Sequence, residues 1–116
     1  MDAFMHSSVD RDSLKRKAAF LNAMANPHRL KVLDLLASQE LPVNALTELV
    51  GLSQSALSQH LAKLRALKLV KTRRDAQTIY YSLSFEGVSV ILDTLTQIFD
   101  GSRSTQLPET ITSSSR

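Results

Sequence analysis

"GLSQSALSQHLAKLRALKLV", residues 51–70, decides the fold. Gly51 suits the left-handed position that closes a helix, and Ser53 offers a hydroxyl to cap the next one. Turning by about 100° per residue places Ala56, Leu57, His60, Leu61, Leu64 and Leu67 on one arc. Gln54, Ser55, Ser58, Gln59, Ala62 and Arg65 fall opposite, with Lys63 at the boundary. Just upstream, residues 43–50 read as a short helix with Val43, Leu46, Leu49 and Val50 inward. A helix, a tight glycine turn and a second helix make a helix-turn-helix.

The outer face of the second helix carries hydroxyls, amides and flanking cations. An ordinary solvated face carries Glu and Lys paired at i,i+4, and none of that pairing occurs here. A glutamine amide can donate and accept at once, matching the N6 and N7 edge of adenine in the major groove. Serines let a helix approach closely. The helix N-terminus can take a phosphate, and Lys63 and Arg65 come later, where the helix leaves the groove. His60, among leucines, reads as a satisfied, half-buried histidine.

Working outward, residues 1–10 read as a flexible N-terminus and a helix is expected from Asp12 to Ala25. Leu14, Ala18 and Leu21 share one of its faces, beside a strip of Phe20 and Met24. Asn26 and Pro27 are a cap and a first-turn residue for the next helix. There Leu30, Leu33, Leu36 and Ala37 face inward, widened by Val32 and Leu35. Pro42 stops it and permits a short extended link at residues 40–42.

After Leu67 the apolar period changes to two. "LVKTRRDAQTIYYSL" reads as two strands joined by a turn at residues 74–77, with Ile79, Tyr81 and Leu83 on one face. Arg73, Arg74 and Gln77 at the tip suit a backbone or minor-groove probe. A last helix from Phe85 to Phe99 carries Val88, Leu92, Leu95 and Phe99 at the spacing of a helix–helix seam. The tail 101–116 is Ser/Thr-rich and expected to be disordered.

The 116 residues suit one domain, placed at residues 11–100. Net charge is only +3, but its distribution is uneven. Between Glu48 and Asp75 there is no acidic residue and there are six basic ones: Lys63, Arg65, Lys68, Lys71, Arg73 and Arg74. Such a one-signed stretch is a footprint for a polyanion. No apolar run is long enough for a membrane span or a signal peptide, and there is no cysteine, so a cytoplasmic location is expected. His6, His28 and His60 are the only histidines, and no nucleophile–base spacing points to an enzyme.

The order of elements, with "ANPHRLKVLDLL", "GLSQSALSQHLAKLRALKLV" and "RRDAQTIYYSL", resembles the ArsR-type winged-helix repressors over residues 19–99. The resemblance implies a homodimer that binds a palindromic operator and represses transcription. The matching positions for DNA contact are Ser53, Gln54, Ser55, Ser58 and Gln59, with Arg73 and Arg74 in the wing. Two metal-sensing devices of that group have no counterpart. "ELPVNAL" has Pro42 and Asn44 where thiolates would stand, and the last helix has Asp93 but no histidine. The wing turn carries Ala76 and Gln77 where the group has glycine and a basic residue.

The expectation is therefore a mainly α fold with a small β-hairpin, a winged helix-turn-helix dimerising through its first and last helices. Its partners are double-stranded DNA carrying an inverted repeat and a second copy of itself. No cofactor, metal or membrane is expected. A winged-helix module that binds RNA or another protein is the alternative.

Overall fold

Asn26 ends one helix and starts another. Its backbone is extended, and its side-chain oxygen accepts from the N–H groups of His28 and Arg29 at 2.9 and 3.1 Å. Pro27 follows in the first turn, where its missing N–H costs nothing. The computed structural model describes residues 7–101, and this corner joins its first two helices, α1 (Ser7–Met24) and α2 (Pro27–Ser38). α1 begins before the expected Asp12, at Ser7. Asp10 in the first turn complements the helix dipole. Residues 1–6 and 102–116, where the remaining terminal expectations fall, lie outside the described residues, and Gly101 closes a π-helical turn.

Leu41–Pro42 forms a two-residue strand, β1, and α3 (Val43–Val50) follows at once. Gly51 ends α3 with φ 79°, and its N–H donates to the Thr47 carbonyl at 3.0 Å. α4 (Gln54–Ala66) then runs to a second left-handed residue, Lys68, with φ 65°. There the N–H of Leu69 reaches back to Leu64 and that of Lys68 to Arg65, both at 2.9 Å. This is a Schellman closure with lysine in the position glycine favours. Its apolar clasp is Leu64 against Leu69, both fully buried.

β2 (Val70–Asp75) and β3 (Thr78–Leu83) form the wing, and α5 (Glu86–Thr96) leads into the turn Gln97–Gly101. The sheet has three antiparallel strands in the order β1-β3-β2. The link expected at residues 40–42 is thus a sheet edge, with Leu41 opposite Tyr81 and Pro42 opposite Tyr80. An edge strand tolerates the proline because one side of it needs no N–H donor. Opposite pairs share a face, so Thr72 and Arg74 lie with Tyr81 and Ile79, while Arg73 lies with Tyr80.

The core gathers Val32, Leu33 and Leu36 of α2, Leu46 of α3, and Leu57, Leu61 and Leu64 of α4. α1 contributes Ala23 and Met24, with Phe20 packed against them, and α5 contributes Val88 and Leu92. Ala37 and Leu49, expected inward, are exposed. Both lie at the margin of an apolar arc, where periodicity does not distinguish core from rim. Among the described residues no helix is long and apolar enough to cross a membrane.

The two-residue wing turn is strained. Ala76 has φ 58°, in the left-handed region that glycine adopts with less strain. A left-handed conformation costs an L-residue roughly 1–2 kcal/mol. Ala76→Gly is therefore expected to raise stability by about 1 kcal/mol after the entropy of glycine is deducted. Urea unfolding measures this, and a loss of stability would contradict the turn geometry.

Candidate nucleic-acid interface

α4 is positioned from behind. Leu57, Leu61 and Leu64 are at most 1% exposed and fix the helix against the core. Its start is set by Ser53, whose Oγ accepts from the Ala56 N–H at 3.2 Å. With the leucines inward, Gln54, Ser55, Ser58, Gln59 and Arg65 stand exposed, as the wheel predicts, and so do the capping Ser53 and the boundary residue Lys63. Ala62 between them is exposed too and keeps the surface thin. Arg65 also donates from Nη1 to the Tyr81 hydroxyl at 3.1 Å, tying the end of the helix to β3.

The two wing arginines differ. Arg73 Nε donates to both carboxylate oxygens of Glu40, at 3.0 and 2.9 Å, and Nη2 donates to Oε1 at 2.8 Å. Its guanidinium also lies 4.4 Å from the centre of the Tyr80 ring. The hydrogen bonds from Arg73 hold the Glu40 carboxyl below its ordinary value. That part of the pairing is present above the ordinary glutamate range and is lost as pH falls through the lowered value. Arg73 is thus engaged with the residue before β1. Arg74, on the other face, is exposed and makes no side-chain hydrogen bond or ion pair with the described residues. Gln77 is exposed at the tip.

Two residues expected on the dimer seam are corrected. Val88 is fully buried and Leu92 is 5% exposed, both in the chain's own core. The spacing of α5 marks an apolar face, but Val88 and Leu92 on that face serve the chain's own interior. Leu95 is half-buried, while Leu14, Leu21 and Phe99 stand 61, 55 and 44% exposed. Ala18 is exposed with them.

Sequence reading missed Arg29. Placed among α2's leucines, it is only 8% exposed. Its Nε donates to the Ala23 carbonyl, Nη2 to the Asn22 carbonyl at 3.3 Å, and Nη1 to His60 Nδ1 at 3.2 Å. His60 is half-buried and partnered, as expected. Burial lowers its pKa first, and the neighbouring Arg29, His28 and Lys63 lower it further. The signal that could have found Arg29 was its place on α2: it precedes Val32, Leu33 and Leu36 on the same buried face.

Among the described residues, no three histidine, aspartate or glutamate side chains gather to hold a metal. The chemistry on offer is therefore a row of hydrogen-bonding groups on a fixed helix, flanked by cations, with a basic hairpin beside it.

Comparison with known proteins supports this geometry. The profile of the bacterial regulatory protein arsR family matches residues 26–72. The nodulation protein NolR of Rhizobium meliloti is 63% identical over 82 residues, covering 71% of this chain and 67% of its own. The crystal structure of NolR from Sinorhizobium fredii superposes with a TM-score of 0.75 at 56% identity, covering 80% of this chain and 93% of that one. A solution structure from Mycobacterium bovis, described as a homodimeric winged helix-turn-helix DNA-binding domain, gives a TM-score of 0.73 at 31% identity. It covers 78% of this chain and 84% of its own. The helix-turn-helix, the two-stranded wing and these likenesses together place the chain in the ArsR family of winged helix-turn-helix regulators, which are DNA-binding transcriptional regulators and not enzymes.

Proposed function

We propose that two copies of the chain bind an inverted-repeat operator, each laying α4 in a major groove and its wing on the backbone or minor groove, and so repress transcription. The observation that carries this reading is the outer face of α4, where Ser53, Gln54, Ser55, Ser58 and Gln59 are all exposed. In this reading Gln54, Ser55, Ser58 and Gln59 read bases, Ser53 with the helix N-terminus takes a phosphate, and Lys63, Arg65, Arg74 and Gln77 hold the backbone. Arg73 joins them only where a phosphate competes with Glu40.

The dimer rests on exposed apolar surface. Leu14, Leu21, Phe85, Val90 and Phe99 are each at least 44% exposed, all on the first and last helices or beside them. Phe85 lies tilted against Phe20 with centroids 6.0 Å apart, over Gly87, where a Cβ would meet its ring at 2.7 Å. A largely apolar groove of about 740 Å³ runs between Phe20 and Leu21 of α1, Leu67, Phe85 and Ile91. A second copy covering this surface would join two α4 helices in one particle, and a separation of about 34 Å would match successive major grooves.

Selection of bound sites from random DNA tests the whole reading. Recovery of two half-sites one turn apart is expected, and a single half-site or no enrichment would overturn the dimeric arrangement. Repression is tested separately by a reporter carrying the selected site. Arg74→Ala is expected to weaken binding on all sequences and to reduce the salt slope by about 0.9, the share of one phosphate. An unchanged slope would remove Arg74 from the interface. Stronger retention of RNA than of duplex DNA in a gel shift would favour the alternative module.

A further inference from the structure

Arg29 is the buried charged residue of the described chain, and among the described residues it forms no ion pair with a carboxylate. Its charge is met instead by the carbonyls of Asn22 and Ala23, in the last turn of α1. Those carbonyls carry the negative end of the helix dipole, and that of Asn22 also accepts from the Ala25 N–H at 3.2 Å. The remaining arm of the guanidinium reaches α4 at His60. One side chain from the first turn of α2 therefore fastens the end of α1 to the middle of the helix that faces outward.

We infer that Arg29 is a positioning residue for α4, and that it holds the helix only while His60 is neutral. This rests on the DNA-reading role proposed above. A guanidinium has donors and no acceptor, so His60 Nδ1 must offer its lone pair and the neutral ring must carry its proton on Nε2. Protonation leaves no lone pair on either nitrogen. The 3.2 Å contact then becomes donor against donor and cation against cation.

Among the described residues, the charged and titratable groups around His60 give the imidazolium no counter-charge. Arg29 and His28 face it from α2 and Lys63 lies on its own helix, and all act against protonation. The His28 ring centre is 5.6 Å away. Burial acts in the same direction, so the folded protein protonates His60 below its ordinary value of 6.5. The bond is intact above that range and is lost as pH falls through the lowered value. Leu57 and Leu61 still anchor the helix, so its pose shifts rather than the fold being lost.

The sign of the effect on DNA is distinctive. A new cation near a polyanion tightens binding by Coulomb attraction alone. Loss of the Arg29 bond loosens it, because base contacts require a fixed helix. At constant ionic strength, the affinity of the full chain for its selected duplex is expected to fall about tenfold between pH 8 and pH 5, the equivalent of one charge-assisted hydrogen bond. His60→Asn supplies a carbonyl oxygen near the place of Nδ1 and does not titrate, so its profile is expected to be flat or slightly rising. His28→Asn is expected to keep the fall. An affinity that stays flat or rises in the wild type, or a fall that persists in His60→Asn, overturns the inference.

A titration of the free wild-type protein by NMR keeps the test independent of DNA and of how the variants fold. The His60 ring and the amides of Ser55 and Gln59 are expected to shift with one midpoint below 6.5. Ring titration with silent α4 amides would overturn the positioning role. Failure to bind any duplex at pH 8 would instead overturn the proposed function and leave the amide shifts to decide the role of Arg29.

Discussion

Leu57→Ala should lower the free energy of unfolding by about 3 kcal/mol. Leu57 is fully buried, in contact with a core that includes Leu61, Leu33 and Leu46. Truncating a buried leucine removes its transfer energy and leaves a cavity, with measured costs of roughly 2–5 kcal/mol. A small domain has only about 5–15 kcal/mol in total, so this one change consumes a large share of it. The urea midpoint should fall with little change in slope. At low temperature, where the variant is still folded, its exposed face is intact and affinity for DNA should remain within a few-fold of the wild type. A loss below about 1 kcal/mol would show that α4 does not rest on this leucine.

Gln54→Ala should behave in the opposite way. The side chain is exposed at the first helical position, so stability should change by no more than about 0.5 kcal/mol. A good bidentate amide–base contact contributes roughly 1–3 kcal/mol of discrimination, about fivefold to 150-fold in relative affinity. Binding to the selected operator should therefore fall by that amount, while binding to scrambled duplex changes little. Anisotropy titrations on both duplexes measure the ratio. Equal losses on the two would mean that Gln54 positions the helix or touches a phosphate instead of reading a base. The two variants lie a turn apart on one helix, and each should leave the property governed by the other unaffected.

Local signals carried most of the fold. Asn26 with Pro27, Gly51 and Ser53 are capping residues whose chemistry acts within a few positions, and the helices they bound fall where those residues require. The start of α1 has no such marker, and there the expectation began at Asp12 instead of Ser7. The pairing of Leu41–Pro42 with β3 was hidden for a related reason: two residues cannot show a period, and one is a proline.

Long-range partners were hidden further. Arg73 and Arg74 are adjacent and alike in sequence, yet a strand sends them to opposite faces, and one meets a carboxylate 33 positions away. Periodicity likewise found the apolar faces of α1 and α5 but could not say which residues serve the chain's own interior. Val88 and Leu92 do, whereas Leu14 and Leu21 remain uncovered. The outward placement of the polar face of α4 was legible because it follows from composition and helical angle, both local. The hold of Arg29 on that helix was not, because it joins three helices through one side chain.

Lys68 turns the chain out of α4 in a backbone shape that glycine would adopt with less strain. Glycine at this site would make the subunit hardier and, in the same stroke, strip a cation from the basic run. A screen for heat tolerance and a screen for operator retention should therefore select different residues at position 68, and sequences improved by the first cannot be assumed to pass the second.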